Sequence, residues 1–312
     1  MVQRFFLIVP LFVGLLFSGC AISKSSERLK EEEIVRKREA SYFFPIPIIK
    51  FTDGNLPCLL VKIEKLTFPA ELDLGFRGLL RASEDVLETI KEKTFVHNRK
   101  TWGFGGKEYV NEVYQIPFAK MGCVMFSDLF IEMESEEFVQ NSRIKKSEDG
   151  NFTIEGGRIG WEIFECSNLL LDVGNESIAL CDGLDTLKEE GYSIDSFVSV
   201  PLWTERGFVE FEAETSRGPL RCVLDSGCTC NILQHDDVLS WNPDDRIDDP
   251  VFRIGGRDFK SQSFLSLPIQ LPIVVEAILG MDFLMDHIVF IEFTAGKIHI
   301  AEKQTKSIRQ PV

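Results

Sequence analysis

The sequence predicts a mostly β protein with a few short helices, built from two related halves. Three observations carry this. Short apolar runs bounded by Gly, Pro, Asp and Asn recur from about residue 45 onward, at 46–51, 58–63, 198–203, 208–211, 220–224, 288–293 and 297–301. Several of them alternate apolar and polar residues, as in Phe208-Val209-Glu210-Phe211-Glu212-Ala213, which is the period of a half-buried strand. A set of sequence blocks also occurs twice, in the same order.

Helical signals are few. Residues 83–91 form the best one, with Ser83 as a cap and Val86, Leu87 and Ile90 on one face. Residues 184–190 make a second short turn of helix.

Ahead of the β pattern lies a different kind of chain. Residues 1–20 have a basic start at Arg4, an apolar stretch from Phe5 to Phe17, and the small-residue ending Ser18-Gly19-Cys20. The stretch is short for a bilayer span and reads as an export signal. Residues 21–45 follow as a charged tether, in which Glu32 with Arg36 and Glu33 with Lys37 have helical spacing. The two lobes then occupy 46–190 and 191–312, the first carrying an insertion at about 122–156.

Composition limits the function. The 312 residues are 44% hydrophobic and 27% charged, enough to bury a core. The net charge of −15 excludes nucleic acid as the expected partner, because such binding needs lysine and arginine against phosphate. The four histidines, at 97, 235, 287 and 299, have no zinc-enzyme spacing, so no metal and no cofactor is expected. Of eight cysteines, Cys228 and Cys230 form a C-x-C, too close for an ordinary zinc-ribbon pair.

The chain's most informative stretch is Cys222-Val223-Leu224-Asp225-Ser226-Gly227-Cys228, an apolar strand ending in an acid. An acid there is costly to bury unless it is paired or hydrogen-bonded, and the glycine two residues on permits a sharp turn. Its counterpart is Ala70-Glu71-Leu72-Asp73-Leu74-Gly75-Phe76. Gly255-Gly256 follows Asp225 by 30 residues, in Phe252-Arg253-Ile254-Gly255-Gly256-Arg257-Asp258-Phe259; Gly105-Gly106 follows Asp73 by 32, in Trp102-Gly103-Phe104-Gly105-Gly106-Lys107-Glu108-Tyr109. The block at 264–269 resembles that at 114–118, and Ile278-Leu279-Gly280 resembles Arg158-Ile159-Gly160. Four blocks in one order at near-constant offset make a duplication.

These residues resemble the aspartic peptidase superfamily, and its retropepsin-like branch in particular. The resemblance implies two closed β-barrel lobes related by an internal pseudo-twofold, in a monomer. It implies Asp73 and Asp225 as a catalytic pair, supported by Ser226, Gly227 and Gly75, with the glycines at 105, 106, 255 and 256 in flaps over a polypeptide substrate or peptide ligand. Two adjacent carboxylates share one proton: the ionised one draws a proton from water and the other donates to the substrate carbonyl. The ending at Cys20 resembles a bacterial lipoprotein signal, with Phe17 where leucine is usual. That implies lipid attachment at Cys20 and a membrane-anchored lipoprotein exported to a bacterial cell envelope.

The first copy departs from the pattern at Leu74, which has no hydroxyl to reach across the lobe interface. Ser226 is thereby expected to lose its cross-lobe partner, costing roughly 1–3 kcal/mol if buried. Two functions follow. One is an aspartic endopeptidase of the envelope; the other is a catalytically inactive relative that binds peptide or another envelope component.

Overall fold

The computed structural model describes residues 41–51, 55–102, 106–134, 156–234, 246–269, 271 and 274–303. The signal with Cys20, the tether through residue 40 and Gly105 lie outside them. Among the described residues no helix is long and apolar enough to cross a membrane.

Two β lobes stand on a shared antiparallel sheet. Its six strands run in the order Val198–Pro201, Lys297–Glu302, His287–Glu292, Asn168–Asp172, Ser177–Cys181 and Phe43–Phe51. The order reads the same from either lobe, since each contributes one long hairpin and one outer strand. The central pair joins the lobes through Val289 opposite Leu171 and Ile291 opposite Leu169, all four fully buried. Each hairpin reverses through a single 3-10 turn, Val173–Asn175 or Phe293–Ala295. A left-handed residue follows in both, Glu176 at φ 55° and Gly296 at φ 60°. Ser177–Cys181 and Asn168–Asp172 are continuous apolar strands because the sheet is covered on both faces.

The first lobe is a closed six-stranded barrel. Pro57–Ile63, Leu66–Leu72, Gly157–Ile159, Leu80–Ala82, Val124–Met133 and Glu108–Met121 follow one another, and the last returns to the first through Val61 opposite Met121. Phe43–Phe51 links it to the base: its first half pairs with Ser177–Cys181 and, after a register shift at 48–50, its second half pairs with Pro57–Ile63. The second lobe is an open eight-stranded curved sheet with the same central wiring. In both lobes the strand carrying the aspartate pairs in parallel with a short apolar strand, Leu72 opposite Ile159 and Leu224 opposite Leu279. The two helices expected from sequence are present at Glu84–Thr89 and Leu184–Glu189. The protein is thus mostly β, with two lobes about an internal pseudo-twofold, the first a closed barrel and the second a half-barrel sheet.

One part of the repeat is differently aligned. The polarity of 122–156 suggests a surface excursion, but its first part is the strand Val124–Met133, whose Phe126, Leu129 and Ile131 are buried. This strand runs parallel to Leu80–Ala82, as Gln262–Leu267 runs parallel to Ile232–Gln234. It is therefore the counterpart of 262–267, in place of the block at 114–118. Polar positions such as Ser127, Asp128 and Glu132 hide its alternation. Residues 135–155 lie outside the described chain.

Candidate functional site

Each aspartate is placed by backbone alone. Asp73 N donates to Ile159 O at 2.9 Å and Asp225 N donates to Leu279 O at 3.0 Å. Past each acid the chain turns tightly, with Phe76 N on Asp73 O at 3.1 Å and Cys228 N on Asp225 O at 3.2 Å. The turns are held by the glycines of the short apolar strands. A Cβ at Gly160 would strike the carbonyls of Phe76 and Gly78, and one at Gly280 those of Cys228 and Cys230. The correspondence of these contacts, position for position, is the pseudo-twofold at atomic level.

The turns bring Asp73 and Asp225 together, each carboxyl lying against the glycine that follows the other acid by two positions. Gly75 N and Gly227 N donate to Asp225 Oδ1 at 3.2 and 2.8 Å. No side chain fits at either glycine. A Cβ on Gly75 would overlap the Asp225 carboxylate, and one on Gly227 would lie 2.6 Å from Asp73 Oδ1. Burial, then the charge of Asp73, push Asp225 up to about 7 against the pull of the Gly227 and Gly75 amides.

Ser226 does not lose its cross-lobe partners. Its hydroxyl is fully buried, donates to Leu72 O at 2.7 Å and accepts from Leu74 N at 3.1 Å. The expected penalty is absent because its partners are main-chain atoms, which any residue at 74 supplies. Leu74 cannot return the two bonds; it is packed in the core at 0% exposure. The pin between the lobes is therefore one-sided.

The flap glycines divide. Gly106, at φ 75°, lies in the hairpin of Thr94–Trp102 and Glu108–Met121. Both faces of this hairpin's outer strand are largely exposed, and Trp102 and Val110 stand in solvent near its end. Gly255 and Gly256, at φ 56° and 79°, turn the hairpin of Phe252–Ile254 and Arg257–Phe259. A Cβ at Gly255 would meet Val198 and Val200, so this second hairpin is seated on the base sheet. The contact is confined to Gly255, since a Cβ at Gly256 would meet nothing within 4 Å.

The residue missed from sequence is Arg158. Its Nη1 donates to Asp73 Oδ2 at 3.3 Å, and its Nε lies 3.8 Å from Glu134 Oε1. Burial works against its charge, but Asp73, Glu71, Glu134 and Asp225 outweigh burial and raise it above the usual arginine range. In register it stands opposite Glu71 on one side and Arg81 on the other, and Arg81 in turn stands opposite Glu132 and donates to its Oε2 at 3.2 Å. Arg99 donates to Glu132 Oε1 at 2.7 Å. A chain of charges thus crosses the first barrel and ends on Asp73. The sequence held a signal: arginine stands at 158 where the second copy has Ile278, and Arg81 interrupts an apolar strand.

No family model matches this chain, and no curated protein matches it in sequence. Among solved structures it is similar to basic 7S globulin from soybean, with a TM-score of 0.55 and 11% identity over 86% of this chain and 98% of that one. It is similar also to conglutin gamma, a unique basic 7S globulin from lupine seeds, with a TM-score of 0.57 and 10% identity over 87% of this chain and 97% of that one. At these identities the likeness is one of fold.

Three outcomes follow from the site. Ser226→Ala strands Leu74 N and Leu72 O in the interface and should cost about 1–3 kcal/mol in denaturant unfolding; an unchanged midpoint would remove Ser226 from the pin. Because folding raises Asp225 from 3.8 to about 7, the folded chain holds a proton that the unfolded chain releases. Stability therefore falls as pH rises from about 4 to about 7, and Asp225→Asn should flatten that fall and be the more stable form above it, by on the order of a few kcal/mol. Arg158→Ile, which gives the first copy the residue of the second, leaves Asp73 without its cation. It should cost about 3–5 kcal/mol near neutral pH and less in acid, where the carboxyl can take a proton; an equal loss at every pH would contradict the ion pair.

Proposed function

We propose that this protein is a catalytically silent relative of aspartic peptidases that holds an extended polypeptide between its two lobes. The observation that carries this is the guanidinium of Arg158 on Asp73 Oδ2. A peptidase needs one carboxylate to take a proton from the attacking water, and the two acids must exchange protonation roles during turnover. A neighbouring cation favours the ionised form of a carboxylate and so weakens it as a base. Burial and the charge of Asp73 favour the protonated form of Asp225, while Arg158 stands against Asp73 as its counter-ion. The division of labour is then fixed, and the pair becomes an ion pair beside a neutral acid.

Leu74 supports the same reading, since the pin that holds the two acids has only one of its two hydroxyls. The similar solved structures are both named as globulins. The hairpin ending at Trp102 and Glu108 offers exposed backbone and an aromatic side chain to an extended ligand. The leader supplies the setting: export and lipid attachment at Cys20 would hold the lobes at a bacterial envelope membrane, on a tether that ends ahead of Phe43, where the base sheet begins.

The test is incubation of the purified protein with unfolded casein between pH 3 and 7, followed by fluorescence anisotropy for binding and gel analysis for cleavage. Binding with casein intact is the expected result. Cleavage that Asp225→Asn abolishes would establish a working peptidase, and failure to bind any unfolded chain would remove the cleft as a polypeptide site.

A further inference from the structure

The C-x-C of the Asp225 turn has no part in the reading above, and its two thiols are placed unlike the others in the chain. Of the seven described cysteines, Cys58, Cys181 and Cys222 are buried, while Cys123 and Cys166 are exposed. Cys228 and Cys230 are half-buried, and their thiols are hydrogen-bonded to each other. Cys228 Sγ also lies 3.1 Å from Cys230 O. Their backbone is clamped from the far side: Met281 N donates to Cys228 O at 2.8 Å, and Gly280 packs against both carbonyls. The two sulfurs are thus held near each other by a turn that the rest of the lobe fixes, with access from solvent.

We propose that Cys228 and Cys230 are a redox-active dithiol that closes to an intramolecular disulfide by exchange with a small-molecule disulfide. This inference is independent of whether the carboxyl pair hydrolyses peptides. The two thiols divide the work. The hydrogen bond from Cys228 holds Cys230 down to about 7 in spite of burial and the nearby Asp282, with Arg246 adding to the pull. Cys230 is therefore substantially thiolate near neutral pH, and the thiolate is the nucleophile in exchange. Cys228 is pushed up by the same hydrogen bond, by burial and by the Asp225 carboxyl, so it keeps its proton.

The exchange balances as follows. The Cys230 thiolate attacks one sulfur of the small disulfide, forming a mixed disulfide and expelling one small thiolate. Cys228 then gives up its proton to solvent and attacks the Cys230 sulfur, expelling the second small thiolate. Two protein thiols are oxidised to one disulfide, and one small disulfide is reduced to two thiols. Closure draws the sulfurs to about 2 Å and ends the contact of Cys228 Sγ with Cys230 O. Cys228 N is bonded to Asp225 O, so the dithiol adjoins the turn that carries the acid.

The experiment treats the folded protein with oxidised glutathione, quenches with acid, alkylates free thiols under denaturing conditions and maps tryptic peptides by mass spectrometry. The peptide cut after Arg221 and Arg246 should carry one alkyl group, on Cys222, where the reduced form carries three, and should be lighter by a further two hydrogens for the bond between Cys228 and Cys230. It should do so at least about tenfold faster than Cys166 becomes glutathionylated. Cys230→Ser should abolish the closure while leaving the thermal melt in place. A glutathione adduct that persists on Cys230 without closing would overturn the proposal. So would a pair still reduced after Cys123 and Cys166 have reacted, and the wild-type maps decide this even where the serine variant folds poorly.

Discussion

Everything at the centre of this molecule depends on the approach of two carboxyls across a pseudo-twofold. Each sits in the space that a side chain on the other lobe's glycine would fill, so Gly75 and Gly227 set how near the lobes can come. Like charges at that distance cannot both be ionised, and the cost is met in an asymmetric way. Asp73 receives an arginine; Asp225 receives two backbone amides and keeps a proton. The remaining strands follow from that contact, because the base sheet, the parallel pairs and the glycine clamps all hold the two turns in mutual register.

The asymmetry also separates the two lobes by role. The second lobe carries the Ser226 hydroxyl that reaches across to the other turn, the small Gly227, and an apolar Ile278 where the first copy has a cation. The first lobe has given up its hydroxyl and gained a run of buried and half-buried charges from Arg99 through Glu132, Arg81 and Arg158 to Asp73. Buried charges of this kind are seldom a source of net stability, since desolvation offsets much of their attraction. Their effect here is to set a cation against one acid of the pair and none against the other.

Much of this was legible from residues alone. The strand-ending acids, the glycines two positions after them and the apolar-Gly strands are short, local patterns, and each has a backbone reason that survives divergence. The pairing of Asp73 with Asp225 followed from the repeat. What could not be read was set by contacts remote in sequence. Val124–Met133 carries Ser127, Asp128 and Glu132 among its apolar residues, so its period is masked. Ser226 is satisfied by main-chain atoms of residues 72 and 74, which no side-chain comparison reveals. Arg158 lies 85 positions from Asp73, and only the parallel pairing of Leu66–Leu72 with Gly157–Ile159 brings them together. The Gly255-Gly256 turn has the residues of a flap, but its placement depends on Val198 and Val200.

The base sheet has a consequence for the order in which the chain can fold. The first barrel closes from segments within residues 57–159 and can form as synthesis proceeds. Asn168–Asp172, by contrast, finds its outer neighbour only at His287–Glu292. Until the last strands emerge, the nascent first lobe presents an unpaired edge strand with Leu169, Leu170 and Leu171 at its centre, the kind of surface that pairs with any strand it meets. Contacts of such separation form slowly. Residues 287–302 therefore act as an internal cap, and a chain truncated before them should be lost to aggregation even though its first barrel is complete.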